Sequence, residues 1–274
     1  MTTSFVLKKM VVRHADPIQY QLVSSEHAIL LNDFLQQKMT LTFSGDIFCI
    51  QCGRKTKQSF QQGHCFPCMQ KINECNNCMI HPERCLVETG NVKCDPDSWA
   101  HQHCHQSQIV YLANSSGLKV GITREGNIPS RWIDQGAAQG LPIFSASNRY
   151  QAGLIEVALK QFVADKTNWR AMLKEEVALI DLVAEKTSLL SEAHHMISPI
   201  LEKYADVISV IDNQSVTTLR YPVLTYPSKI TTLSFDKTPK IEGVLLGIKG
   251  QYLIFDTGVL NVRKFGGYAV TIEV

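Results

Sequence analysis

The 274-residue sequence predicts an α+β protein, and three observations lead to that class. Blocks of apolar and β-branched residues bounded by turn residues occupy both ends of the chain, as expected of antiparallel strands. Strand and helix signals mix over residues 106–170 and then give way to apolar residues at helical spacing. Before this mixed unit lies a cysteine-rich stretch poor in long apolar runs, where a metal must supply the cohesion that a small core cannot.

The elements follow in chain order. Residues 1–48 form a strand-rich N-terminal region, with FVLKKMVV, IQYQLV, AILL and MTLTF parted by Asp-Pro, Ser-Ser-Glu-His and Asn-Asp-Phe turns. Residues 49–105 are the cysteine-rich region. Residues 106–170 read as a compact α/β unit: a hairpin over 108–123, a helix opened by Pro129-Ser130-Arg131-Trp132, a strand over 141–146 and a helix from about 151. Over 171–206, Leu173, Val177, Ile180, Val183, Ala184 and Leu190 recur at helical spacing and predict a helical connector. Ser198-Pro199 reads there as the N-cap and first-turn proline of a further short helix. Residues 207–274 carry Pro222, Pro227 and Pro239 and then IEGVLLGI, QYLIFD, GVLNVRKF and YAVTIEV, a small antiparallel sheet or barrel. Pairing between this tail and the N-terminal strands is left open at this level.

A composition of 45% hydrophobic and 19% charged residues is that of a packed soluble protein. A formal charge of +2 gives no support for a broad basic surface, so any nucleic-acid contact is expected to be local. Lys8, Lys9, Arg13, His14 and Asp16 interrupt the early apolar positions, and no later run reaches membrane-spanning length, so the protein is expected in the cytoplasm and off the membrane.

All nine cysteines lie between residues 49 and 104. Cys49-Ile-Gln-Cys52 and Cys65-Phe-Pro-Cys68 are two Cys-x-x-Cys knuckles, each able to wrap one edge of a tetrahedral zinc. Gly53 gives the first knuckle the freedom to turn its amides toward the thiolates, and Pro67 stiffens the second. Cys75, Cys78, Cys85, Cys94 and Cys104 remain, with His81, His101, His103 and His105 nearby. Five thiols exceed the four ligands of a closed site, so one cysteine is left over or a histidine substitutes for another; the preferred second zinc is held by Cys75 and Cys78 with two of Cys85, Cys94 and Cys104, the surplus histidines being surface residues. Closed thiolate sites leave no open position for water, so one or two such zincs would hold structure and not catalyse.

The stretch IVYLANSSGLKVGITREGNIPSRWIDQGA, residues 109–137, resembles the GIY-YIG nuclease superfamily, whose cores open with a two-motif hairpin followed by a helix arginine and a later glutamate. Ile109-Val110-Tyr111 stands in the first motif's place and Lys119-Val120-Gly121 in the second's, with Arg131, Glu156 and Asn168 following in order. Through CIQCGRKTKQSF, HPERC, VYLANSSGLKVGITR and RWIDQGA the chain also resembles an uncharacterised bacterial family that joins zinc motifs to such a core.

The superfamily resemblance implies phosphodiester hydrolysis of DNA or RNA assisted by one Mg²⁺ or Mn²⁺. Tyr111 would orient or deprotonate water, Arg131 would hold a phosphate oxygen, Glu156 would ligate the metal, and Asn168 would hydrogen-bond behind them. Lys119 departs from the pattern, because catalytic relatives usually carry tyrosine there. A buried lysine of lowered pKa could move a proton and an exposed one would bind phosphate as a point charge, but neither is a phenol.

Each residue also has a structural reading: Tyr111 as a strand aromatic, Arg131 paired with Asp134, and Glu156 paired with Lys160. Two functions therefore compete. One is a zinc-stabilised nucleic-acid-binding protein with a metal-dependent endonuclease core; the other is a non-catalytic module that binds a phosphate-bearing ligand or a protein.

Overall fold

The computed structural model describes residues 2–24, 26–71, 77–85, 99–163, 168–213 and 215–274. Among the described residues it contains three antiparallel sheets and seven α-helices, a mixed α+β protein.

The first sheet joins the two ends of the chain. Its order is β1 (Thr2–Val6), β15 (Tyr268–Glu273), β5 (Lys38–Phe48), β12 (Lys240–Lys249), β13 (Tyr252–Phe255) and β14 (Gly258–Asn261), with β6 (Lys55–Thr56) pairing the end of β5. The pairing left open by the sequence is thus made: Phe5 faces Val270 and Leu41 faces Ile272 across the ladder. A three-stranded sheet of β2 (Val11–Arg13), β3 (Gln19–Val23) and β4 (Ala28–Leu30) sits beside it.

The second large sheet runs β10 (Ile208–Val210), β9 (Gln139–Ala146), β7 (Gln108–Asn114) and β8 (Leu118–Arg124), with β11 (Thr217–Thr218) on the far end of β9. Every residue of β7 is buried, because both faces of this sheet are covered. Ile109, Tyr111 and Ala113 point into a core shared with Leu245, Ile248 and Leu253 of the first sheet, together with Trp132 and Ile133 of α3 (Ser130–Asp134). Val110 and Leu112 point the other way, onto α4 (Arg149–Leu159), α6 (Leu182–Glu192) and α7 (His194–Lys203). Strand alternation thus divides one hairpin between two cores.

Two expectations for the connector are corrected. Residues 175–181 are not helical, since α5 (Trp169–Lys174) ends before them. Ile180 is instead held by the buried Gln139 side chain, whose Oε1 accepts from the Ile180 N–H and whose Nε2 donates to its carbonyl, both at 2.9 Å. These bonds give the backbone an extended partner that helical spacing alone does not reveal. Nor does a helix begin at Ser198: Pro199 lies inside α7. It removes one backbone donor, which the packing of Ile197, Ile200 and Leu201 against the second core offsets. Among the described residues no helix is long and apolar enough to cross a membrane.

Candidate functional site

The first cysteine knuckle lies where β5 turns into β6. The Cys49 N–H donates to the Arg54 carbonyl and the Gly53 N–H to the Cys49 carbonyl, both at 2.9 Å, closing a tight loop. Gly53 has φ +69°, a left-handed conformation that a side chain would strain. The second knuckle leads into α1 (Phe66–Lys71), and the Ile50 N–H donates to the Gly63 carbonyl at 2.8 Å to join the two loops.

The sulfurs of Cys49, Cys52, Cys65 and Cys68 all lie within 4.8 Å of one another. The Cys52–Cys65 sulfur separation is 3.8 Å. That is far beyond a disulfide bond of about 2.05 Å. It equals the edge of a tetrahedron with zinc–sulfur bonds of about 2.3 Å, which works out to about 3.8 Å. Burial disfavours the Cys49 thiolate, but N–H groups of Cys65, Cys52 and Gln51 aimed at its sulfur more than offset this and bring the thiol down to about 6. Cys68 goes the other way, pushed up to about 12 by its hydrogen bond with Cys65 and then by burial and the other cysteines. One anion in the cage opposes the next, and only a cation at its centre lets all four be thiolates. The donor set therefore fits one structural zinc.

Of the remaining cysteines, Cys75 and Cys94 lie outside the described residues. Cys78, Cys85 and Cys104 come together with His105 around a cavity of about 20 Å³ against the start of α4. None of the seven described cysteines forms a disulfide.

The hairpin places Tyr111 opposite Gly121 and Ala113 opposite Lys119, so Tyr111 and Lys119 share one face of the sheet. A Cβ at Gly121 would fall 2.6 Å from the Tyr111 hydroxyl, so the second motif's glycine is the floor on which the phenol lies. That hydroxyl donates to Gln135 Oε1 at 3.1 Å, and its ring meets Trp132 edge-on at 5.9 Å. Burial pushes the Tyr111 phenol up, against the Arg131 guanidinium, which hydrogen-bonds to it and draws it down.

Burial also pushes the Glu156 carboxyl up, against Lys160, Arg149 and Arg131, and its carboxylate lies 3.5 Å from Lys160 Nζ. Tyr111, Arg131 and Glu156, though far apart in sequence, act on one another electrostatically. Lys119 is 4% exposed and lies two residues nearer the hairpin turn than Gly121. Asn168 caps α5, accepting from the Ala171 N–H at 3.2 Å, and its own N–H donates to Ser116 in that turn.

At the other end of the hairpin lies an open basin of about 730 Å³ between the segment that follows β1, the first zinc knuckle, β8, α3 and α4. Lys8, Lys9, Arg124, Arg131, Arg149 and Arg263 line it, with His64 and His103, and among the described residues no carboxylate does. His64 Nδ1 and Arg149 Nε are buried polar atoms of this lining with no hydrogen-bond partner among the described residues. Such orphans mark a place prepared for a ligand or ordered water.

Arg131 does not pair with Asp134, because that carboxylate is held 2.9 Å from Lys9 Nζ and 2.9 Å from Gln251 Nε2. Those contacts tie the segment that follows β1 to α3 and set Lys9 on the basin's edge. Of the sequence-selected residues only Arg131 lines the basin. Lys8, Lys9, Arg124, Arg149 and Arg263 carried no local motif that could have singled them out.

Over residues 36–270 the chain matches the family described as "Protein of unknown function (DUF2797)", and it belongs to that family. No curated protein and no solved structure matches it.

Proposed function

We propose that this protein binds nucleic acid through its phosphates, on a zinc-stabilised, GIY-YIG-like core. The observation that carries this reading is the basin: six Lys or Arg side chains and, among the described residues, no Asp or Glu around one concavity, in a chain whose formal charge is only +2. Asp134 pairs with Lys9, and Glu156 acts on Arg149 and Arg131, so the charge is partly balanced from behind; what remains favours an anion in the space, and arginine forks match phosphate oxygens bidentately. The order of hairpin, helix arginine and glutamate supports the core assignment. So do the hydrogen bond from Arg131 to the Tyr111 phenol and the proximity of Glu156.

Divalent-metal cleavage is less well supplied. Glu156 is the sole carboxylate among the sequence-selected residues; it is 8% exposed and already faces Lys160, Arg149 and Arg131, and Lys119 stands where a second phenol would be. A hydrated Mg²⁺ needs open carboxylate oxygens, and the basin offers it guanidinium groups. The residues therefore favour binding without turnover.

The test is binding of short DNA and RNA duplexes and single strands across a salt series. Affinity should fall steeply with salt, and Arg131→Ala or Arg149→Ala should each flatten the log–log slope by about 0.7 to 0.9 for every phosphate left without its cation. Affinity indifferent to salt and to both substitutions would sink the proposal. Nicking in Mg²⁺ or Mn²⁺ that disappears in Glu156→Gln would restore the endonuclease reading.

A further inference from the structure

We infer that Cys78, Cys85, Cys104 and His105 form a second, mixed thiolate–imidazole zinc site that clamps the cysteine-rich segment onto the start of α4. The four residues come from three separate places: the 3-10 turn Asn77–Met79, the residue after the 3-10 turn Pro82–Arg84, and the end of α2 (Trp99–Cys104) with its next residue. The fold brings them around one cavity of about 20 Å³. A space of that size holds one water-sized occupant, where about 10 to 15 Å³ is the minimum. Three thiols and an imidazole around an atom-sized space form a zinc ligand set, and the cysteines are not joined by disulfides.

The surroundings suit the charge of such a site. Three thiolates and a neutral imidazole on Zn²⁺ carry a net charge of −1, and Arg149 lines the same cavity. Its Nη2 donates to the Met79 carbonyl at 2.8 Å, beside Cys78. The segment already bears on α4, since a Cβ at Gly153 would meet the Pro82 ring at 2.6 Å. Their donor atoms do not come together within 4.8 Å as those of the Cys49 tetrad do, and Pro82, Asn148 and Tyr150 share the lining. Closing on an ion would draw the 3-10 turns inward and fix Arg149, which also lines the basin. This site takes up the histidine substitution that the surplus of thiols allows, with His105 in a ligand position beside Cys78, Cys85 and Cys104.

The inference is tested by elemental analysis of the purified full chain and by mapping which thiols alkylate with iodoacetamide before and after chelation. Two zincs per chain are expected, with Cys78, Cys85 and Cys104 protected together with the tetrad. Mapping needs no variant, so a misfolded mutant cannot confuse it. Cys85→Ser and His105→Ala should each reduce two zincs to one while protection at Cys49, Cys52, Cys65 and Cys68 persists. One zinc in the unaltered chain, with Cys78, Cys85 and Cys104 alkylating freely, would overturn the site. Protection of Cys75 or Cys94 with His105→Ala retaining both zincs would overturn the histidine ligand. Neither result touches the nucleic-acid reading, which is judged by salt-dependent binding.

Discussion

The Cys49–Cys68 tetrad and the cationic basin touch each other, yet they are built on opposite plans. The tetrad is local: two knuckles within twenty residues, closed by their own backbone hydrogen bonds, bring four sulfurs within 4.8 Å. The basin is assembled from Lys8 to Arg263, and none of its cations has a neighbour in sequence that announces a site, the Lys8-Lys9 pair aside. In the tetrad four like donors converge on one point, whereas the basin's cations are spread around a wide space and some, such as Lys9 with Asp134, already hold a carboxylate. His64 joins them, one residue before Cys65 and on the basin wall, so the second knuckle forms part of that wall.

The sharpest way to break this comparison is to remove the local half. Structural zinc contributes on the order of 10 kcal/mol to small metal-dependent folds. Cys49→Ser should release zinc from the tetrad and strip hydrogen-exchange protection from residues 49–71 while both large sheets stay protected. Nucleic-acid affinity should fall more than tenfold as the basin loses a wall. Continued protection of the knuckles would mean that packing, not metal, holds them.

Next is the anchor of the assembled half. Trp132 is fully buried, its ring packs where a Cβ at Gly140 would come within 2.4 Å, and its helix presents Arg131. Trp132→Ala should cost about 3 to 5 kcal/mol in denaturant unfolding. A cost under about 1 kcal/mol would show that α3 is held by something else.

Lys249 sharpens the contrast between cations that line water and cations that do not. It lies under Tyr221 and Tyr226, with Nζ 5.5 and 5.1 Å from their ring centroids, and burial brings its pKa from 10.5 to about 8 despite Glu176. Below pH 8 the folded and unfolded chains both carry the proton and burial of the charge costs stability. Between about 8 and 10.5 only the unfolded chain carries it, so stability rises with pH across that window. Lys249→Met should therefore gain roughly 3 kcal/mol at pH 7, a gain that vanishes near pH 10.5. A pH-independent difference would remove the electrostatic explanation.

The smallest effect belongs to Lys55, beside the first knuckle, whose ion pair with Asp46 is exposed on both sides. Lys55→Ala should change stability by no more than about 0.5 kcal/mol and leave the salt slope of binding intact. A flattened slope would extend the basin to the outer face of the knuckle.

Much of this was legible in the sequence, and what was not has physical causes. The strand blocks at both ends, the 108–123 hairpin and the first zinc knuckle follow from periodicity, turn chemistry and Cys-x-x-Cys spacing, all short-range signals. The Val177–Ile180 stretch defeated periodicity because the buried Gln139 amide supplied an extended hydrogen-bonding partner. Pro199 reads as a helix start only if packing is ignored. Asn168 fitted the superfamily order, yet its contacts are those of a helix cap.

By itself the sequence determined the α+β class, the tetrad and the hairpin that pairs Tyr111 with Gly121, because each depends on residues close along the chain. Only the tertiary structure decided that the chain ends share a sheet, that His105 and three cysteines line one small cavity, and that arginines from four regions converge on a basin with no carboxylate among its described lining. Convergence of that kind is set by how two sheets pack across a common core, and no window of neighbouring residues contains it.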